Sequence, residues 1–166
     1  MTMQYDVKSV HKTSSGVAVA YRTRLKGAVV SANAAAAARN MVFANNTTQV
    51  GTYGRSSTTV TVTMAGHGLV TGNRVWLSFA AGTGGTATAN VYTVTVTNAT
   101  TFTVTDSVSG TITGDAAVTM YANILLEVDS YNPVAFNVAI PGEGILAPDG
   151  IYVGLVANLT ATLFYG

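Results

Sequence analysis

Short segments in which Thr alternates with an apolar residue run through this chain, and they leave room for little other than β structure. Thr58-Thr59-Val60-Thr61-Val62-Thr63-Met64 and Tyr92-Thr93-Val94-Thr95-Val96-Thr97 repeat at period two, which puts Thr on one face and the apolar residues on the other, as in half-buried strands. Comparable runs recur at Val17–Tyr21, Leu25–Val30, Arg74–Phe79, Thr101–Thr105, Ala117–Tyr121, Ile124–Val128, Ala135–Ile140, Ile151–Leu155 and Ala161–Tyr165, most of them bounded by turn residues. The one helical candidate, Ser31 to Asn40, is rich in alanine but shorter than the ~12 to 15 residues that an isolated helix needs, so a connector is expected there. The fold class is all-β.

A shift in composition divides the chain. Residues 55–116 are dominated by Thr, Gly and Val, with turn clusters at Ala65-Gly66-His67-Gly68, Thr71-Gly72-Asn73 and Ala81-Gly82-Thr83-Gly84-Gly85. The flanks carry longer aliphatic strands, such as Ala28-Val29-Val30 and Ile124-Leu125-Leu126. Neither flank has enough strands to bury two faces, whereas together they supply what a sandwich requires. The sequence thus predicts a jelly-roll-like β-sandwich built from both chain ends (residues 16–54 plus 117–166), with a small β-barrel-like module (residues 55–116) inserted. Residues 1–15 are polar and lack the pattern of a core strand, so they are expected to form an arm that orders on a neighbour.

Charge narrows the function classes. Only 9% of residues are charged and the net charge is +1, against about 25% charged in an ordinary soluble domain. Such a surface lacks the self-repulsion that keeps proteins apart, which points to burial against neighbours in an assembly. All eight Lys and Arg lie between Lys8 and Arg74, and six of the seven acids between Asp106 and Asp149; mutual neutralisation within one fold accounts for this more simply than a basic contact surface. Arg22, Arg24 and Lys26 alternate along one predicted strand with Tyr21 and Leu25 on its other face. This stripe suits a protein partner; a sequence pI near 8.0 without a wider basic field does not suit nucleic acid. Tyr5 and Lys8 join it as interface candidates.

The inventory for catalysis is thin. There is no cysteine, and His11 and His67 have no second metal ligand at close spacing. His67 is expected to fix its own turn through a side-chain hydrogen bond. Glu127 and Asp129 would share one face of a strand, which is read as a solvated face, and Asp149-Gly150 is read as a tight turn and not a calcium ligand. Trp76, opposite Val75 and Leu77 by alternation, is the one candidate for an exposed aromatic platform, with a core or interface role preferred. No cofactor and no metal are expected, and the chain is read as a non-enzyme. No stretch approaches the ~20 apolar residues that span a bilayer, and Met1 to Lys8 holds no apolar run of the kind a signal peptide carries.

One stretch carries a resemblance. Thr61-Val62-Thr63-Met64-Ala65-Gly66-His67-Gly68-Leu69-Val70-Thr71-Gly72-Asn73-Arg74-Val75-Trp76-Leu77, followed by Gly84-Gly85, Tyr92-Thr93-Val94 and Thr101-Phe102-Thr103-Val104, resembles a small β module that recurs in structural and tail-associated bacteriophage proteins, including those of cyanophages. It covers about a third of the chain. The C-terminal run from Ile140-Pro141-Gly142-Glu143-Gly144-Ile145-Leu146, through Gly150-Ile151-Tyr152-Val153, to Ala161-Thr162-Leu163-Phe164-Tyr165-Gly166 is similar to the finish of β-sandwich or jelly-roll virion proteins of the decoration type. The resemblance implies a virion protein assembled in the bacterial host cytoplasm: a capsid decoration (cement) protein, expected as a homotrimer, whose partners are the major capsid protein and copies of itself. The alternative it leaves open is a tail or fibre component whose module touches host glycans.

Overall fold

The computed structural model describes residues 6–32, 39–130, 135–156 and 158–166. Among them there are sixteen strands, all paired antiparallel, and no helix. The chain divides into two compact units, residues 1–46 with 124–166, and residues 47–123. The alanine-rich residues 33–38 lie outside the described set; Ser31, Ala32, Arg39 and Asn40 on either side are strand.

The first unit is a β-sandwich. One sheet runs in the order β1 (Lys8–Lys12), β16 (Leu159–Tyr165), β3 (Thr23–Ala32) and β13 (Phe136–Ala139), with β14 (Ile145–Ala147) pairing β3 beyond β13. The other runs β12 (Ile124–Ser130), β4 (Arg39–Asn45), β15 (Ile151–Leu155) and β2 (Gly16–Val19). With the module removed, and β13 and β14 on the same edge of β3 counted as one strand, successive strands of the unit interleave in the eight-strand order of a jelly roll, and the module sits between the fourth and fifth of them. Leu25, Ala28 and Val30 of β3 and Leu159, Ala161 and Leu163 of β16 share one core with Met41 and Phe43 of β4 and Ile151, Val153 and Leu155 of β15. Each fully buried Leu, Ile or Phe there contributes about 1.5–3 kcal/mol. β4 hides from a pattern search because Met41, Val42, Phe43 and Ala44 are all fully buried, so nothing alternates. The Asp149-Gly150 turn is a corner between sheets and not a hairpin: β14 and β15 belong to different sheets, and Asn45 and Asp149 clip the corner by exchanging two hydrogen bonds of 2.7 and 3.0 Å.

The expectation of a free N-terminal arm fails for the part that is described. β1 pairs with β16 along all five of its residues, His11 Nδ1 lies 2.8 Å from Thr162 Oγ1 across that pair, and Val10 packs on the core. An edge strand at the end of a sandwich needs only one apolar residue turned inward, because its backbone bonds supply the rest, and this is why its polar sequence misleads.

The second unit is a seven-stranded sheet in the order β8 (Asn90–Thr93), β7 (Arg74–Phe79), β11 (Ile112–Tyr121), β5 (Gln49–Ser56), β6 (Thr59–Thr63), β10 (Thr101–Thr105) and β9 (Thr95–Asn98). Its outermost strands, β8 and β9, are consecutive in the chain and joined by Val94, so the sheet curls until its two edges meet through one residue. That is the nearly closed, barrel-like form. Val60, Val62, Val75, Leu77, Phe102, Val104, Val118 and Met120 fill it. β5 has little apolar pattern because close approach matters more there: a Cβ on Gly51 would overlap the Thr63 carbonyl oxygen.

Within this unit lies a buried ion pair. Arg55 Nη1 donates to Asp106 Oδ2 at 2.6 Å, and the side chains are 5% and 0% exposed. The backbone amides of Thr88 and Val108 donate to the two carboxylate oxygens at 3.1 and 3.2 Å. Burial pushes the Asp106 carboxyl upward, but hydrogen bonds from Thr88, Arg55 and Val108 outweigh it and hold the group below the usual carboxylate range. The same burial, reinforced by the Asp106 charge, pushes the Tyr92 phenol well above its ordinary range.

Two outcomes follow from this architecture. Deletion of residues 1–12 removes β1, and a loss of about 2 kcal/mol lowers the thermal midpoint by about 4–8 °C in a chain of this size; an unchanged midpoint would mean that β1 adds nothing to the sandwich. Asp106→Ala leaves Arg55 charged and buried, at a cost of about 3–5 kcal/mol, whereas joint replacement of Arg55 by Met and Asp106 by Leu costs far less. Because Asp106 is depressed below its unfolded value of about 3.9, its contribution is complete above that pH and is lost as pH falls through it toward the folded value. Thermal melts from pH 7 to pH 2 on the wild type and Asp106→Asn check both the size and the sign.

Candidate functional site

Four strands of the five-stranded sheet reach the same end of the sandwich, where β1 and β3 begin and β14 and β16 finish. Lys8 pairs with Tyr165, Tyr165 with Leu25, and Arg24 with Leu146, so residues distant in sequence are brought side by side. Around this convergence Lys8, Tyr21, Arg22, Arg24, Leu146 and Tyr165 surround a cleft of about 390 Å³, with Asp6, Thr23 and Gly166 completing its wall. The Arg24 and Gly166 backbones bond to each other in both directions, at 3.1 and 3.2 Å, which fixes one rim.

Two of its side chains are apolar or aromatic and open to solvent: Tyr21 is 53% exposed and Leu146 38%. Tyr21 meets Tyr165 edge to face, with centroids 6.5 Å apart and planes at 63°. The hydrogen bond that the Tyr165 hydroxyl donates to Tyr21, with burial second, raises the Tyr165 phenol above its ordinary value. Arg24 is held by Glu143 at 3.3 Å and donates to the Gly144 carbonyl at 3.3 Å. Glu143 is 82% exposed, so that pair orients the guanidinium more than it stabilises the fold, at roughly 0–1 kcal/mol.

The structure brings together three of the residues singled out from sequence, Lys8, Arg22 and Arg24, and separates the others. Arg22 lies in the bend before β3 and not on the strand. Tyr21, expected on the strand face opposite the cations with Leu25, lies in the same bend and is exposed. Lys26 keeps the alternation with Arg24 along β3 but is not among the residues that line the cleft. Tyr5 lies outside the described residues. Trp76 does lie opposite Val75 and Leu77 as alternation requires, but it is wholly buried between its cross-strand partners Val91 and Tyr121, so it offers solvent no platform. Tyr165 and Leu146 carried no signal in the sequence, because only the strand pairing places them beside the cations.

Elsewhere the polar groups are committed. His67 does fix its turn: its Nδ1 accepts from the Leu69 amide at 3.0 Å and its Nε2 donates to the Asn98 carbonyl at 3.1 Å, between Gly66 and Gly68, both at φ 64°. A groove of about 430 Å³ beside β8 contains Arg74, Asn90, Thr93, Thr105 and Asp106, but Arg74 bonds Thr93, Asn90 caps the Val91 amide and Asp106 is held as described. Glu127 is half-buried and Asp129 exposed on the edge strand β12, away from the core that Val128 enters. Among the described residues no three His, Cys, Asp or Glu side chains gather closely enough to hold a metal ion.

No family model and no curated protein matches the chain in sequence. Among solved structures it is similar to a phage phi92 endosialidase, with 22% identity and a TM-score of 0.33 over 81% of this chain and 20% of that one. The chain therefore spans about a fifth of that protein's length, and a superposition this loose carries no weight for its fold or its activity.

The tyrosine contact is testable by itself. Tyr21→Phe removes the hydroxyl that raises Tyr165, so in a spectrophotometric titration the Tyr165 phenol moves back toward about 10. If Tyr165 ionises at the same pH in wild type and variant, the two hydroxyls do not interact.

Proposed function

We propose that this chain is a structural protein of a bacteriophage particle, a decoration protein that binds the head shell through its sandwich unit and acts by binding and not by catalysis. Jelly rolls of this strand order serve as viral shell proteins, lectins and cupins alike, so the choice rests on the site and not the fold. The observation that carries the reading is the cleft: on a chain with few charges, exposed Tyr21 and Leu146 lie among Lys8, Arg22 and Arg24. Tyrosine and arginine around a desolvatable pocket is the composition of a protein–protein anchor. The resemblance of residues 61–104 to modules of phage structural proteins supports the same setting. Three copies around a shell three-fold position would bury the weakly charged β surface against the capsid protein and against each other, in a closed symmetric arrangement.

Cryo-electron microscopy of particles that carry the chain, with a count of its copies, tests this. Copies at three-fold or quasi-three-fold positions over the shell are expected. A few copies confined to one vertex would make it a tail or fibre component, with its module turned toward host glycans, and absence from the particle would remove the virion reading altogether.

A further inference from the structure

We infer that the cleft takes an acidic, extended segment of a partner protein, with its carboxylates on Lys8 and Arg22 and an apolar side chain against Tyr21 and Leu146. This rests on the reading of the chain as an assembly protein and names what its anchor holds.

Charge is the first argument. The chain has eight Lys and Arg in all, and three of them line this one cleft, where Asp6 is the single acidic member of the lining. Arg24 is already engaged by Glu143, but among the described residues Lys8 and Arg22 enter no ion pair. Charges that serve only to neutralise the fold would be paired within it; these two face a cleft large enough for two or three side chains. The second argument is the lining: Tyr21 and Leu146 are exposed among these cations, so an occupant that carries apolar side chains beside its carboxylates covers both.

The same features choose among occupants. A second copy docking edge to edge would set Lys8 and Lys12 of one β1 against those of the other, and like charges directly opposite destabilise a pair of strands. A polyphosphate chain would need a longer track of cations, and Asp6 and Glu143 interrupt this one. A strand alternating acidic and apolar residues matches both the cations and the exposed Tyr21 and Leu146, because its side chains fall on two faces at period two.

Amide and Arg side-chain spectra of the isotopically labelled full chain read the binding at about 10 mM salt, where the Debye length is about 30 Å. The probes are a blocked peptide alternating Glu and Val, the same peptide with Lys in place of Glu, and a uronic acid oligosaccharide of equal carboxylate number. Saturable shifts confined to β1, Tyr21 to Arg24 and Tyr165 are expected with the Glu peptide and none with the Lys peptide. Lys8→Ser and Arg22→Ser, both at exposed positions, should each weaken binding about threefold, as exposed ion pairs do. Absent or scattered shifts, binding that survives both substitutions, or an equal response to the oligosaccharide would each overturn the assignment. The measurement does not depend on where the chain sits on a particle, so a negative result beside a shell-bound chain removes this partner and leaves the assembly reading intact.

Discussion

β16 lies between β1 and β3, and β15 lies between β4 and β2, so the last strands of the chain occupy interior positions in sheets otherwise begun by the first. The rest of the sandwich depends on that pairing. Without β16, β1 has no neighbour and the core face of β3 loses Leu159, Ala161 and Leu163. Without β15, β2 and β4 are no longer joined. The contacts are long-range almost throughout, which commits folding to a large loop-closure cost that only complete burial repays.

The same pairing explains how a module of its own can interrupt the roll. Ala44 of β4 and Ile124 of β12 are partners, so the chain leaves the sandwich and returns to it at adjacent positions. Gln49 and Met120 are partners as well, and the module's own first and last strands close it from within. Each unit thus satisfies its backbone and fills a core independently, which is the condition for an insertion to be tolerated. Inside the module the Arg55–Asp106 pair sits where residues after β10 cross back toward β5, and the Thr88 and Val108 amides that surround the carboxylate tie two loops to it. A fully satisfied buried carboxylate specifies one arrangement of those loops, and a half-satisfied one would not.

The cleft is a product of strand ends. Jelly-roll strands that run in alternating directions bring beginnings and finishes together at each end of a sheet, and side chains there are released from the in-and-out alternation that governs strand middles. This is how Tyr21 can be exposed next to a buried Thr23, and how Arg22, one residue before β3, faces the same space as Tyr165 from the far end of the chain. Lys26, one alternation further along β3 than Arg24, lies away from the strand ends and does not line the cleft.

What the amino-acid sequence determined by itself was local and periodic. Period-two alternation marked β6, β7 and β10 almost to the residue, and glycine and asparagine marked the His67 and Gly72 turns, because each of these properties is written in neighbouring residues. It could not mark β1, β4, β5 or β14: one is polar, one is buried on both faces, one is shaped by close backbone approach and one is three residues long. Tertiary structure alone decided that Trp76 is buried, that Arg55 and Asp106 are partners 51 residues apart, and that Lys8, Arg22, Arg24 and Tyr165 share a cleft. The reason is that register between distant strands is set by the sum of many weak pairings across a sheet, and no window of sequence contains that sum.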